Sequence, residues 1–210
     1  MFSIIQAAGW PIWPLLLCSV VALALVIERF SSLRASRIAP TRLLDEVLGV
    51  TSQTLPTPDM VNRLADNSLL GQVLAAGLRA VTAEPQMPEA KLRQVFELAG
   101  RRAIHQLERY LNTLGTIATA APLLGLLGTV VGMIEIFGSQ APSGGGAGGN
   151  PAQLAHGISI ALYNTAFGLM IAIPALMFYR YFRGRVEGYV LELEQSSDRL
   201  LSQLRRFTSP

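Results

Sequence analysis

Cysteine is nearly absent from this sequence, since Cys18 is the only one among 210 residues. A single cysteine cannot build an intrachain disulfide framework or the cysteine clusters that hold structural zinc. Because Cys18 lies in an apolar run, we expect a buried thiol without chemical activity.

Charged residues are also scarce, at 15% of the chain, while hydrophobic residues reach 50%. An ordinary soluble domain carries about 25% charged residues. The net charge of +3 would fit nucleic-acid binding only with basic residues clustered beside aromatic or helix-turn-helix signals, and these are missing. The composition therefore predicts a membrane protein and no nucleic-acid partner.

No charged side chain occurs in the first 27 residues. We predict a periplasmic N-terminus over residues 1–11 and a first transmembrane helix over residues 12–27. A cleavable signal peptide would need a basic segment before its apolar core, and residues 1–10 contain no Lys or Arg. We therefore expect a retained anchor, with Trp10 and Trp13 at the membrane interface.

A second uncharged stretch of 22 residues runs from Thr113 to Ile134. At about 1.5 Å per residue it is long enough to cross a hydrocarbon core of about 30 Å. We place the second transmembrane helix at residues 111–137. Its small residues, Gly125, Gly128 and Gly132 among them, predict close packing against another helix.

The next segment, residues 138–154, is rich in glycine and carries no charge, and we predict a flexible periplasmic loop. A phosphate-binding loop would need a preceding strand and a Lys-Ser or Lys-Thr end, which are absent from this sequence. Because residues 153–179 carry no formal charge, we predict a third transmembrane helix over residues 155–182.

The remaining segments, residues 28–110 and 183–210, have the composition of soluble helices. Apolar recurrence predicts a cytoplasmic helical region over 28–110, whose last helix begins near Pro88 and runs straight into the second span. Residues 183–210 are predicted to form a C-terminal helix with a short heptad seam, which would pack against a partner helix or against residues 28–110. The seam consists of Val186, Val190, Leu193, Leu200 and Leu204.

The basic residues define the orientation. All 17 Lys and Arg residues lie in residues 28–110 or after Tyr179, and none lies in residues 1–27 or 138–156. Since Lys and Arg accumulate on the cytoplasmic side of membrane proteins, we predict a periplasmic N-terminus and a cytoplasmic C-terminus.

Two threonines stand out on helical faces that are otherwise small or aliphatic. Counting from the outer helix ends puts Thr129 and Thr165 level, at roughly 12 to 15 Å depth. They would line a common path, or each hydroxyl would simply bond a carbonyl of its own preceding turn. Glu135 lies within one turn of the outer interface, which argues against a mid-membrane carrier role.

Residue sets that carry chemistry are missing from the spans. We find no intramembrane Lys or Arg, no deep carboxylate and no plausible Ser/His/Asp set. His105 and His156 are predicted on opposite sides of the membrane, so they cannot share a metal. We therefore expect neither an enzyme nor a bound cofactor or metal.

Two stretches carry a family resemblance. T-I-A-T-A-A-P-L-L-G-L-L-G-T-V-V-G-M-I (116–134) and G-I-S-I-A-L-Y-N-T-A-F-G-L-M-I-A-I-P-A (157–175) resemble the ExbB/TolQ/MotA proton-channel family, nearest its ExbB and TolQ branch. The resemblance implies an all-α inner-membrane protein with three transmembrane helices and long cytoplasmic helical extensions. It also implies a ring of copies, typically a pentamer.

The resemblance further implies partners and residue roles. The ring would surround an ExbD/TolR-like single-span protein whose intramembrane Asp carries the proton, with a TonB/TolA-like protein beyond it. The pore threonines fall on Thr129 and Thr165. Helix-packing roles fall on Pro122, Pro174 and Gly168. Ile160 departs from the family pattern, because several members have Glu there in G-I-A-E-A-L, and Glu135 is the candidate accessory polar residue.

We therefore predict a proton-channel or stator subunit that couples the proton motive force to work on the cell envelope. The alternative is a structural membrane scaffold, surrounded by lipid, whose threonines only pack. A solute permease component fits less well, since permeases usually have more spans or a deep charged substrate site.

Overall fold

Helices dominate the computed structural model, which describes residues 10–139 and 151–208. These ranges contain no strand, in agreement with the predicted all-α fold. Most of the predicted periplasmic segments, residues 1–9 and 140–150, lie outside the described residues. The helices are α1 (Ile12–Ser32), α2 (Ala35–Ile38), α3 (Leu43–Gln53), α4 (Pro58–Asn67), α5 (Leu69–Ala83), α6 (Glu89–Glu108), α7 (Leu111–Ser139) and α8 (Pro151–Thr208).

Three of these helices, α1, α7 and α8, contain stretches long and apolar enough to cross a membrane. This number agrees with the three predicted spans, and each of the three helices extends beyond the residues predicted for its span. Helix α1 continues to Ser32, beyond the predicted end at residue 27. Helix α8 begins at Pro151, so residues 151–154 are helical rather than part of the loop. Proline suits a first helical turn because its missing N–H would have no intrahelical acceptor there.

The chain forms two compact units. The spanning unit combines the described residues up to Glu28 with Tyr110–Tyr181, and the bundle unit combines Arg29–Arg109 with the residues from Phe182 onward. Each unit therefore brings together segments that are far apart in the sequence.

Small side chains let three helices meet in the spanning unit. Its buried cluster consists of Leu15 from α1, Ala121 from α7 and Ala172 from α8, with Leu124 and Ile171 packed against them. The opposite faces of these helices expose large apolar side chains, as expected for surfaces in contact with lipid. Those of α1 include Trp13, Leu17, Val20, Leu23 and Ile27.

Helix α5 forms the centre of the bundle unit. The hydroxyl of Ser68 accepts a hydrogen bond from the Gly71 N–H at 3.0 Å and so caps the helix start. Gly77 faces Phe96 of α6 so closely that a Cβ there would lie 2.1 Å from the ring. The side chains of α5 that are almost fully buried are Leu70, Val73, Leu74, Ala75, Leu78 and Val81.

The C-terminal seam packs inside the bundle unit, which decides between the two alternatives left open by the sequence. Val186, Leu193, Leu200 and Leu204 are all buried. Three polar contacts accompany this packing. The Tyr189 hydroxyl donates to the Leu33 carbonyl at 3.1 Å, the Gln203 amide donates to the Leu48 carbonyl at 2.7 Å, and Arg205 pairs with Glu89 at 2.6 Å.

The prediction that the helix from Pro88 runs unbroken into the second span was wrong. Helix α6 ends at Glu108, and Tyr110 has a φ of 64°, which is uncommon for a residue other than glycine. The Leu107 carbonyl, which a continuous helix would bond to the N–H of residue 111, accepts a hydrogen bond from the Arg29 guanidinium at 3.1 Å. Arg29 is only 2% exposed, so this contact is part of the bundle core.

Candidate functional site in the spanning helices

Helices α7 and α8 approach each other through glycine, and we call this surface the glycine contact. A Cβ at Gly125 would lie 2.8 Å from the Asn164 carbonyl oxygen, and one at Gly168 would lie 2.6 Å from the Ala121 carbonyl oxygen. Real Cβ atoms do not come this close to backbone atoms, so only glycine fits at either position. The contact is formed by Gly125, Gly128 and Gly132 of α7 with Ala161, Asn164 and Gly168 of α8.

All four glycines to which the sequence assigned helix packing therefore lie at this contact, and they pack within one chain. The two prolines behave differently. Pro122 lies inside α7 and is half-buried, whereas Pro174 lies inside α8 and is exposed. The spanning unit by itself thus gives Pro174 no packing partner that would bury it.

Thr165 bridges the two helices. Its hydroxyl donates to the carbonyl of Gly125 at 3.2 Å, across forty residues of sequence. The absence of a side chain at Gly125 is what lets the α8 backbone come within reach of that carbonyl. The arrangement in which Thr165 bonds only its own preceding turn is therefore not the one observed.

Thr129 forms a hydrogen bond within its own helix, which was the second possibility for both threonines. Its hydroxyl donates to the Leu126 carbonyl of its own helix at 2.7 Å. The side chain is half-buried and lines a surface hollow of about 450 Å³ on α7. The remaining lining residues, Val130, Met133, Ile134 and Phe137, are all apolar, so Thr129 supplies the hydroxyl of this hollow.

The register of the helix pair sets Thr165 beside Gly125 and Asn164 beside Gly128. By these contacts Thr165 and Thr129 are offset by about 3–6 Å along the helix axis, while their depth in a membrane stays a prediction. The contact of Gly157 with Ile136 near the other end of the pair agrees with this register.

Glu135 is exposed near the C-terminal end of α7, next to Ile136. Ile160, at the position where the family resemblance would expect Glu, is half-buried. Neither residue brings a carboxylate into the glycine contact. Among the described residues no group of three or more His, Cys, Asp or Glu side chains is placed to hold a metal ion.

Asn164 is a site residue that the sequence reasoning missed. It is 1% exposed and lies within the glycine contact, one residue before Thr165. Its side chain projects about 100° away from the helical face that contains Thr165, so the residues predicted to line that face do not include it. The available signal was an amide side chain in the middle of an uncharged span, where polar residues usually contact another helix.

The fold and this site define a class of protein. In the described residues it is a helical membrane protein with three long apolar helices, hydroxyl and amide groups between the second and third of them, and Glu135 as the one Asp or Glu of residues 111–139 and 151–182.

Comparison with known proteins identifies the family within this class. Residues 65–195 match the family described as the MotA/TolQ/ExbB proton channel family. The biopolymer transport protein exbB1 of Vibrio cholerae is 32% identical over 172 residues, which cover 81% of this chain and 74% of the relative. The protein of Synechocystis named as a biopolymer transport protein ExbB-like 3 is 31% identical over 202 residues, which cover 96% of this chain and 94% of the relative.

A TolQ protein of the Tol-Pal system from Haemophilus influenzae is 34% identical over 125 residues, which cover 58% of this chain and 54% of the relative. The chain belongs to the MotA/TolQ/ExbB proton channel family. Its relatives include both ExbB and TolQ proteins, consistent with the branch indicated by the sequence.

Proposed function

We propose that this chain is the channel-forming stator subunit of an inner-membrane complex that uses the proton motive force for work on the cell envelope. Its partner would be an ExbD/TolR-like protein with one transmembrane helix and an intramembrane Asp. A TonB/TolA-like protein would receive the resulting motion. In this proposal Thr129 and Thr165 line the path of the proton.

The observation that carries the proposal is the hollow on α7. It joins one hydroxyl, that of Thr129, to an apolar wall formed by Val130, Met133, Ile134 and Phe137. Such a surface suits an apolar helix that carries a single polar group, because the hydroxyl offers that group a hydrogen bond inside the membrane.

The proton carrier must come from the partner, since this chain offers none at depth. A proton crossing an apolar layer needs a titratable group or continuous water, because an isolated charge there is costly. Threonine hydroxyls do not titrate near neutral pH, and Ile160 cannot. Glu135 is exposed near the end of α7 and does not reach the glycine contact.

The proposed assembly is a homo-oligomeric ring, with five copies by family resemblance. The glycine contact is used within the chain, so the ring must form through other faces. Exposed apolar residues on α7 and α8 provide such faces. Native mass spectrometry of the detergent-solubilised protein should show a closed oligomer, and a spectrum with monomer alone would refute the ring.

The proposed topology places the N-terminus in the periplasm and the C-terminus in the cytoplasm, as the distribution of Lys and Arg indicates. In a Cys18→Ser background, a membrane-impermeant thiol reagent applied to intact cells should label Gly138→Cys and spare Ser202→Cys. Both positions are exposed. The reverse labelling pattern would invert the topology.

The central experiment measures proton flux into vesicles with a trapped pH-sensitive dye under an imposed membrane potential. Vesicles with this chain alone should be nearly proton-tight, and flux should appear with the Asp-bearing partner. Thr165→Val and Thr129→Val should each lower the flux by about tenfold, the equivalent of one lost hydrogen bond. Thr119→Val is the matched control, because Thr119 is exposed and bonds only carbonyls of its own helix.

A proton current from the chain alone that disappears in Glu135→Gln would place the carrier in this polypeptide and contradict the proposal. The alternative function is a scaffold that conducts no ions. The hydrogen bond from Thr129 to its own helix favours this alternative, since it needs no passing proton. Unchanged flux in both threonine variants, with the partner present, would leave the scaffold as the better account.

A further inference from the structure

Asn164 is unusual for its surroundings. Among the described residues of the spanning unit it is the only polar side chain that is almost fully buried, at 1% exposure. Placing an amide in an apolar environment is unfavourable unless it forms specific contacts. A buried Asn between two spanning helices therefore calls for a physical reason.

Gly128 of α7 provides the space that Asn164 occupies. A Cβ at residue 128 would lie 2.7 Å from the Asn164 Cβ, 2.8 Å from its Nδ2 and 2.9 Å from its Cγ. The nearest atoms are thus side-chain atoms of Asn164 itself. The two residues form a matched pair, because α7 lacks a side chain at the position where α8 places its amide.

The neighbouring residue connects this pair to the proposed path. Thr165 follows Asn164 directly and donates to the carbonyl of Gly125, which lies one turn from Gly128. Any shift of α8 that moves the amide out of its space also moves the Thr165 hydroxyl away from that carbonyl.

We propose that Asn164 is a positioning residue that sets the register of α8 against α7 and thereby the depth of Thr165. Most of the glycine contact consists of small apolar surfaces, which would tolerate sliding. The Asn164 amide opposes such sliding, because a displacement of α8 along α7 would bring the amide against aliphatic side chains, where its polar contacts are lost. A single buried Asn fixes helix register in coiled coils by the same physics.

The first experiment measures register without transport. In a Cys18→Ser background, Gly132→Cys with Ala161→Cys should form a disulfide under a mild oxidant, because a Cβ at residue 132 lies 3.2 Å from the Ala161 Cβ, close to disulfide range. Asn164→Leu keeps the branched shape and removes the amide. The rate of cross-linking should fall about threefold to tenfold, the range expected for polar contacts between spanning helices.

Asn112→Leu is the matched control, because Asn112 is exposed at the start of α7. It should leave the rate of cross-linking unchanged. If the Cys pair cross-links at the same rate with Asn164→Leu as with the native Asn164, the proposal is overturned, since the amide would then contribute only volume.

The second experiment uses Asn164→Asp as a conservative rescue that depends on pH. A neutral carboxylic acid has the shape and hydrogen-bonding ability of the amide, whereas an ionised carboxylate is costly to bury. The α7 residues that face it, Gly125 and Gly128, carry no titratable group. Because thiol oxidation itself depends on pH, the rate of cross-linking is compared at each pH with that of the same Cys pair carrying Asn164. The ratio of the two rates should be near one at acidic pH and fall as pH rises, and a ratio that stays constant would count against the proposal.

The expected effect on transport rests on the proposed function. Measuring both proton flux and cross-linking distinguishes a failure of the proposed function from a failure of the positioning role of Asn164. Proton flux with the partner should fall in Asn164→Leu in parallel with cross-linking. If the wild type conducts no protons, the proposed function fails while the cross-linking result still decides the role of Asn164. If the wild type conducts and Asn164→Leu changes neither flux nor cross-linking, the positioning role is refuted.

Discussion

In the spanning unit helices α7 and α8 meet mainly through glycine and alanine, whereas in the bundle unit a few glycines such as Gly77 accompany a core that consists mostly of leucine, valine and phenylalanine. Lipid gives no hydrophobic driving force between helices, so the spanning unit relies on close approach through Gly125, Gly128 and Gly168. Water provides that force, so the bundle unit buries large side chains such as Leu74 and Leu204 completely.

The two units also differ in their polar contacts. The bundle unit connects distant segments by hydrogen bonds and an ion pair, including Arg29 to Leu107, Tyr189 to Leu33 and Arg205 to Glu89. In the spanning unit the Thr165 hydroxyl donates to the Gly125 carbonyl of the neighbouring helix. A polar group that is surrounded by apolar side chains restricts the helix register, because moving it away from its partner is unfavourable.

The largest effect should come from the core of the bundle unit. Leu74→Ala removes a side chain that is 0% exposed, and we expect a loss of about 2–5 kcal/mol in the free energy of unfolding. Urea titration of the detergent-solubilised protein, followed by circular dichroism, measures it. Leu191→Ala is the control, because Leu191 is 55% exposed and its truncation should change little.

The matching test in the spanning unit adds volume instead of removing it. Gly168→Ala places a Cβ 2.6 Å from a backbone oxygen of α7, and we expect a destabilisation of about 2–3 kcal/mol. Thermal unfolding in detergent measures it. Gly138→Ala, where the surroundings of the added Cβ are open, should be neutral or stabilising, since alanine favours helix. Equal melting temperatures for the two variants would refute the close contact.

A smaller effect should follow from Arg29→Ala, which removes the donor to the Leu107 carbonyl at the end of α6. Leaving a buried carbonyl unsatisfied costs about 1–3 kcal/mol, and we expect about 2. Hydrogen exchange read by mass spectrometry should accelerate in peptides around residues 100–112. The exposed Arg199→Ala should not produce this change, and identical exchange in both variants would contradict the role of Arg29.

The smallest effect is expected at the exposed ion pair between Arg205 and Glu89, whose side chains are 61% and 36% exposed. Arg205→Gln should lower the free energy of unfolding by about 0.5 kcal/mol at low salt, and molar salt should abolish the difference. Urea titration at two ionic strengths tests this. A loss that persists in high salt would indicate that Arg205 acts through packing rather than charge.

Several features of the fold were predictable because they depend on local composition. Runs without charge located the three long apolar helices, and the glycines of α7 indicated close packing. The threonines were identified as polar positions, but the sequence could not decide what each hydroxyl bonds. Thr129 bonds its own helix and Thr165 bonds its neighbour, a difference set by the neighbouring helix rather than by the residue type.

By itself, the sequence located three segments long and apolar enough to span a membrane and the residues that are small enough for close contact, because hydropathy and side-chain size are properties of each residue. Only the tertiary structure decided the register that sets Thr165 beside Gly125, the burial of Asn164 against Gly128, the packing of the C-terminal seam and the break at Tyr110. These features depend on contacts between segments separated by tens of residues. Many registers satisfy the same hydrophobic pattern, and close packing of side chains selects one of them.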